Sequence, residues 1–269
     1  MLTITFVSAG ILEMLLPLVL GFFLWKKYSA QWKVFFVGAF AFILSQIIHI
    51  PLLSAIDWLL TQMGIGQSWP EIALIGVNAF ILGAMAALCE EPVRWLSFRY
   101  LKKEGEPFRS ALMLGAGHGG VESILVGLSV LSSAISLIMW QNGSLPIPAD
   151  QAAAFESLVD TQWWLPLLGL FERVAAVGLH ISLSALVWLS VRTKKSRFFL
   201  LALLWHFLVD AAVVFLGGLG WSALALEGVM AVVLVISLFV LFHIYQTHGK
   251  ETLFAPETIP SVPPLEEGS

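Results

Sequence analysis

Seven stretches of this chain run apolar for roughly 18 residues or more, long enough for each to cross a bilayer as a helix. They fall at about 4–24, 34–53, 72–88, 111–135, 165–190, 198–216 and 223–245. The third is predicted to continue as helix through Glu90 and Glu91 to about Tyr100, with Pro92 as a point of kinking. A short interfacial helix is expected after the second, near 56–62. The longest connection is 144–160, where Pro146 and Pro148 break regular structure. From Thr252 the chain turns polar, acidic and proline-rich, a composition that favours disorder. The expectation is an all-α membrane bundle over residues 1–250, followed by a polar cytoplasmic tail over 251–269.

Positive charge sets the expected orientation. Lys26, Lys27 and Lys33 follow the first span, and Arg94, Arg99, Lys102, Lys103 and Arg109 follow the third. Arg192, Lys194, Lys195 and Arg197 follow the fifth, and Lys250 follows the seventh. The alternate connections carry Asp57, Asp150, Glu156 and Asp160 instead. This asymmetry predicts the N-terminus outside and the C-terminus in the cytoplasm. Trp140, Trp163, Trp164 and Trp221 fall near the predicted external helix ends, where indole rings anchor at the interface.

Composition supports the membrane reading and narrows the rest. The chain is 58% hydrophobic and 12% charged, with mean hydropathy +0.88, whereas soluble domains carry about 25% charged residues. The expectation is a multi-pass protein integral to the cell membrane. One cysteine in 269 residues excludes an intrachain disulfide framework and a cysteine-rich metal site. The first apolar run is too long for a secretory signal and has no small-residue cleavage site after it. The basic residues form short juxtamembrane clusters, which topology accounts for, so no nucleic-acid partner is expected.

The informative residues are the polar ones inside the spans, because an ionisable group there is costly and points to function. Glu90 and Glu91 end the third run, with Arg94 one turn on. His118 lies nine residues after Arg109, and His206 nine after Arg197, which places both roughly 13 Å in from the cytoplasmic ends of their helices. His180, twelve residues before Arg192, is on the order of 18 Å in. Groups from four helices therefore converge on the cytoplasmic half of the bilayer.

Spacing agrees with depth. His118 and Glu122 are four apart, as are His206 and Asp210, so each pair shares a helix face. Imidazole and carboxylate are zinc ligands, and catalytic zinc takes three protein ligands and a water. His118, His206 and Asp210 are the primary candidates, with Glu122 and His180 as further ones. Glu122 is a ligand or a partner that orients His118; His180 is a ligand or part of a structural network with Glu172. Either member of the acid pair is placed to act as base for the water, and Arg94 to hold the other carboxylate or a peptide carbonyl. Gly115, Gly117, Gly119 and Gly120 strip bulk from the helix around His118. Arg173, inside the fifth span, requires a partner in the interior. His49, Glu13 and Glu227 lack a partner motif and read as structural. Cys89 reads as a small buried thiol.

The chain has no His-Glu-x-x-His motif, no Gly-x-Ser-Gly and no Gly-x-Gly-Asp, so a protease of this sequence uses dispersed ligands. Glu90-Glu91-x-x-Arg94, His118-Gly119-Gly120-x-Glu122-Ser123, Phe171-Glu172-Arg173 with His180, and His206-x-x-x-Asp210 together resemble the YhfC family. These are intramembrane metallopeptidases related to the type II CAAX-prenyl proteases, and the resemblance covers about residues 70–215, a four-helix core. It implies hydrolysis of a peptide bond in a membrane-associated protein or peptide, with zinc as cofactor. It also implies that Glu90, or the Glu90–Glu91 pair, activates water while the later residues hold it or a metal. Compared with the prenyl protease pattern, the acid pair and Arg94 are one residue closer, Leu114 replaces a phenylalanine, and Asp210 replaces the commoner asparagine. Two other readings use the same polar groups. One is a proton-coupled transporter relaying through Glu122, Glu172 and His180; the other is a non-catalytic scaffold that requires a membrane-protein partner.

Overall fold

A computed structural model describes residues 1–66, 68–101, 107–144, 147 and 152–253. Lys102, Lys103, Pro146, Pro148, Asp150 and the tail from 254 onward lie outside the described residues, so the expectations placed on them are not addressed structurally. The described residues are helical with no strand, and seven helices are long and apolar enough to cross a membrane. The protein is a multi-pass integral membrane protein.

The helices are α1 (Leu2–Tyr28), α2 (Trp32–Gln62), α3 (Glu71–Leu101), α4 (Phe108–Gln141), α5 (Ala152–Val159), α6 (Leu165–Thr193), α7 (Ser196–Gly218) and α8 (Ala223–Ile244). After α8 a π-helical turn, Tyr245–Gly249, leads into α9 (Lys250–Leu253). Three boundaries differ from the sequence reading. The second span and the expected interfacial helix are one continuous element, because α2 carries Pro51 internally and does not stop there. The 144–160 connection holds the eight-residue α5, which seats Phe155 and Leu158 against Phe6, Ala134 and Leu137. The last span continues to Leu253, where Thr252 accepts the Phe108 N–H at 3.2 Å and Arg109 donates to the Leu253 carbonyl at 3.4 Å. The helix through the acid pair is as expected: α3 runs unbroken past Pro92 to Leu101.

The centre of the bundle is α6. In its apolar window 83% of residues are buried, against 17–33% in the other spans. Around it, α4 packs on α1, α2 and α6, while α3 packs on α7 and α2. Without a hydrophobic drive between helices in lipid, close backbone approach supplies the attraction, and small residues permit it. At the α2–α4 crossing, a Cβ on Gly117 would stand 1.9 Å from the Phe35 carbonyl oxygen. A Cβ on Gly38 would stand 2.1 Å from that of Leu114. The glycine run around His118 thus brings α4 against α2 on one side. On the other, Gly115 lets it close on the His180–Ile181 backbone of α6.

Candidate metal centre

α3 turns Glu90, Glu91, Arg94 and Ser97 inward along one side, all of them buried. Such a cluster is stable in a membrane only if its charges meet one another. Arg94 supplies most of those meetings. Its Nε lies 3.2 Å from Glu91 Oε2, and its Nη2 3.9 Å from Glu90 Oε2. Nη1 donates to the His180 carbonyl at 2.8 Å and to Ser184 Oγ at 2.9 Å. Nη2 also sits 2.9 Å from His180 Nδ1.

The three histidines meet this cluster from three helices. His118 of α4 puts Nε2 3.0 Å from Glu90 Oε2, and Phe42 packs edge-on against its ring. His206 of α7 places Nδ1 2.8 Å from Glu91 Oε1, with Nε2 3.9 Å from Glu90 Oε2 and 3.4 Å from Asp210 Oδ2. His180 lies between them, its ring centroid 5.0 Å from that of His118 and 5.6 Å from that of His206. Its Nε2 meets Glu122 Oε2 at 2.7 Å, while Glu122 Oε1 accepts from Arg173 Nη1 at 2.7 Å. Arg173 in turn pairs with Glu172. The intramembrane arginine thus has its partners, and all eight candidate residues belong to one connected network. Glu122 reaches His180 rather than His118.

Hydrogen-bond chemistry separates the histidines. A guanidinium only donates, so His180 Nδ1 must accept from Arg94 and its proton sits on Nε2, donated to Glu122. Both nitrogens are committed. His206 is arranged in the opposite sense: a carboxylate only accepts, so Nδ1–H points at Glu91, leaving Nε2 directed toward Glu90 and Asp210. A carboxylate behind the far nitrogen of a metal-facing imidazole is the usual support of a histidine ligand. His118 Nδ1 is buried with no partner.

The tightest donor group is Glu90, His118 and His180, whose candidate atoms all lie within 4.8 Å of one another. Proximity favours His180 in that set, although its Nδ1 accepts from Arg94 and its Nε2 donates to Glu122. The charge balance fits a cation. Among the described ion pairs, the five carboxylates Glu90, Glu91, Glu122, Glu172 and Asp210 share two guanidiniums, those of Arg94 and Arg173, and three imidazoles. Glu122 and Asp210 have 25% and 33% of their side chains exposed, whereas the other six are nearly closed off, so the centre opens on that side.

Two residues, Gln46 and Ser184, escaped the sequence reading, and a third, His49, was read there as structural. Gln46 of α2 donates to Glu90 Oε1 at 3.1 Å, and its own Oε1 lies 3.2 Å from His49 Nδ1. Ser184 of α6 meets Arg94. The available signal was a pair of polar residues three apart, Gln46 and His49, in an otherwise apolar run. Serine is too common in membrane helices to stand out.

The "Uncharacterized membrane protein YhfC" of Bacillus subtilis (strain 168) is 31% identical over 245 residues, covering 86% of this chain and 92% of the relative. No solved structure matches the chain. The family model described as YhfC intramembrane metalloprotease matches residues 12–243, a range that holds every residue of the network. The chain belongs to the YhfC intramembrane metalloprotease family.

Proposed function

We propose that the protein is a membrane-embedded zinc endopeptidase that cleaves a peptide bond of a membrane-associated protein or peptide. The observation that carries this is the division of labour within the acid pair. Glu91 is tied on both oxygens, to Arg94 and to His206, and so positions them. Glu90 keeps Oε2 directed toward His118 and His206. Glu90 is therefore the base and Glu91 the support.

His118, His206 and Asp210 would hold the metal, with Glu122 and His180 fixing the wall behind them. Zinc in that position would polarise both the water and the scissile carbonyl. Glu90 Oε2 takes the proton as the water oxygen bonds to the carbonyl carbon. It returns that proton to the amide nitrogen as the C–N bond breaks, leaving a free acid and a free amine. Arg94, through Glu91, keeps the His206 ring turned so that Nε2 faces the reacting groups.

The test compares wild type with Glu90→Gln and His206→Ala, each reconstituted with membrane proteins of the host and analysed for new peptide N-termini. The expected result is a set of internal cleavages made by wild type alone. Equal cleavage by wild type and both variants, or none by a wild type that carries its metal, sinks the reading. The bonded row Glu172–Arg173–Glu122–His180 favours a second reading, a proton relay. That reading predicts proton flux into liposomes that Glu122→Gln abolishes and Glu90→Gln leaves intact.

A further inference from the structure

The peptidase reading leaves Gln46 and His49 without a role, although Gln46 bonds directly to Glu90 and His49 bonds to Gln46. Their place in α2 is informative. The buried residues of α2 are Val34, Phe35, Gly38, Ala41, Phe42 and Ser45. From Gln46 to Gln62 the helix has none, so Gln46 sits where its packing ends, at the edge of the centre. Ser45 Oγ, which donates to the Phe42 carbonyl at 2.6 Å, lies 3.5 Å from Gln46 Nε2.

The amide orientation follows from its neighbours. Glu90 as an ionised base accepts only, so the NH2 of Gln46 faces Glu90 Oε1 and the amide oxygen faces His49. His49 then donates from Nδ1, which fixes the amide plane. The result at Glu90 is asymmetric. Oε1 is occupied by Gln46, and Oε2 alone faces His118 Nε2 at 3.0 Å and His206 Nε2 at 3.9 Å.

We infer that Gln46, held by His49, is a positioning residue that restricts Glu90 to one reactive oxygen and keeps its carboxylate from closing onto the metal with both. The inference rests on the peptidase reading above. Without the amide, the Glu90 carboxylate can turn and offer two oxygens. A base that does so binds metal more tightly and no longer takes a proton from water. Gln46 is thus a restraint on affinity in favour of turnover.

Zn2+ and Co2+ are the probes, on detergent-purified full-length protein. Zinc affinity is read by competition with a chelator, and coordination by the visible spectrum of the cobalt form. Gln46→Met keeps side-chain length without the donor and is expected to tighten zinc about tenfold, the scale of changes around a metal site, and to alter the cobalt spectrum. His49→Leu, which frees the amide to rotate, shifts both in the same direction, and His49→Gln, which keeps a donor, restores them. The Gln46→Met effect vanishes in a Glu90→Gln background, because it acts through that carboxylate. Zinc affinity and cobalt spectrum unchanged within twofold in both Gln46→Met and His49→Leu overturn the inference alone. So does an effect that persists in the Glu90→Gln background. A wild type that binds neither ion overturns the metal reading and this inference with it. If Gln46→Met fails to fold, His49→Leu decides.

Discussion

Arg94 of α3 and His180 of α6 are joined twice, through the His180 carbonyl at 2.8 Å and through its Nδ1 at 2.9 Å. One guanidinium therefore fixes the tautomer of a histidine, the register of the central helix and the orientation of Glu91. A planar fork of donors does this; a point charge does not.

Removal of that fork leaves Glu91 Oε2, the Ser184 hydroxyl and His180 Nδ1 without their Arg94 partner in the interior. Arg94→Ala is expected to destabilise the fold by about 3–5 kcal/mol, the usual consequence of breaking a buried ion pair. Arg94→Lys keeps the charge, loses most of the bonds and falls between. Thermal unfolding in detergent ranks the three proteins, and an Arg94→Ala melting point equal to wild type contradicts the account.

His180 has both nitrogens committed, to Arg94 and Glu122, whereas His206 commits Nδ1 to Glu91 and keeps Nε2 facing the centre, so they should differ in metal binding. His206→Ala and His118→Ala are expected to lose zinc from the purified protein. His180→Ala should retain at least half of the wild-type content, its effect confined to stability and to the placing of Glu122. Elemental analysis of the three variants settles the order, and zinc lost with His180 but kept without His206 reverses it.

Gly117 and Gly38 hold α4 against α2 at a separation that no Cβ fits. Gly117→Ala is expected to cost about 1–3 kcal/mol, the range for overpacking, because the obstacle is backbone. It should also move His118, so zinc affinity drops together with stability. A variant as stable as wild type places the crossing elsewhere.

Orientation rests on charge alone, and we propose the N-terminus outside and the C-terminus in the cytoplasm. Cys89 is the only cysteine and is buried, so single cysteines placed at Ser144 or Lys195 can be read against a silent background. An impermeant maleimide on intact cells is expected to label the Ser144→Cys variant and to reach Lys195→Cys only after permeabilisation. The opposite pattern inverts the topology.

By itself the sequence determined the all-helical membrane bundle, its seven spans, and the residue types gathered in the centre. The physical reason is that a helix crossing hydrocarbon must be long and apolar, which makes each ionisable side chain within it an exception that shows in one dimension. Spacing of four also placed His118 with Glu122 and His206 with Asp210 on shared faces. Tertiary structure decided what each exception touches. That Glu122 supports His180, that Glu91 backs His206, and that Arg94 commits both nitrogens of His180 depend on atoms brought together from α3, α4, α6 and α7. Residue separations along the chain carry no record of such contacts. Gln46 is the clearest case. It is a neutral amide in an apolar run, marked along the chain only by His49 three residues on, and its meaning comes from Glu90, 44 residues away on the neighbouring helix.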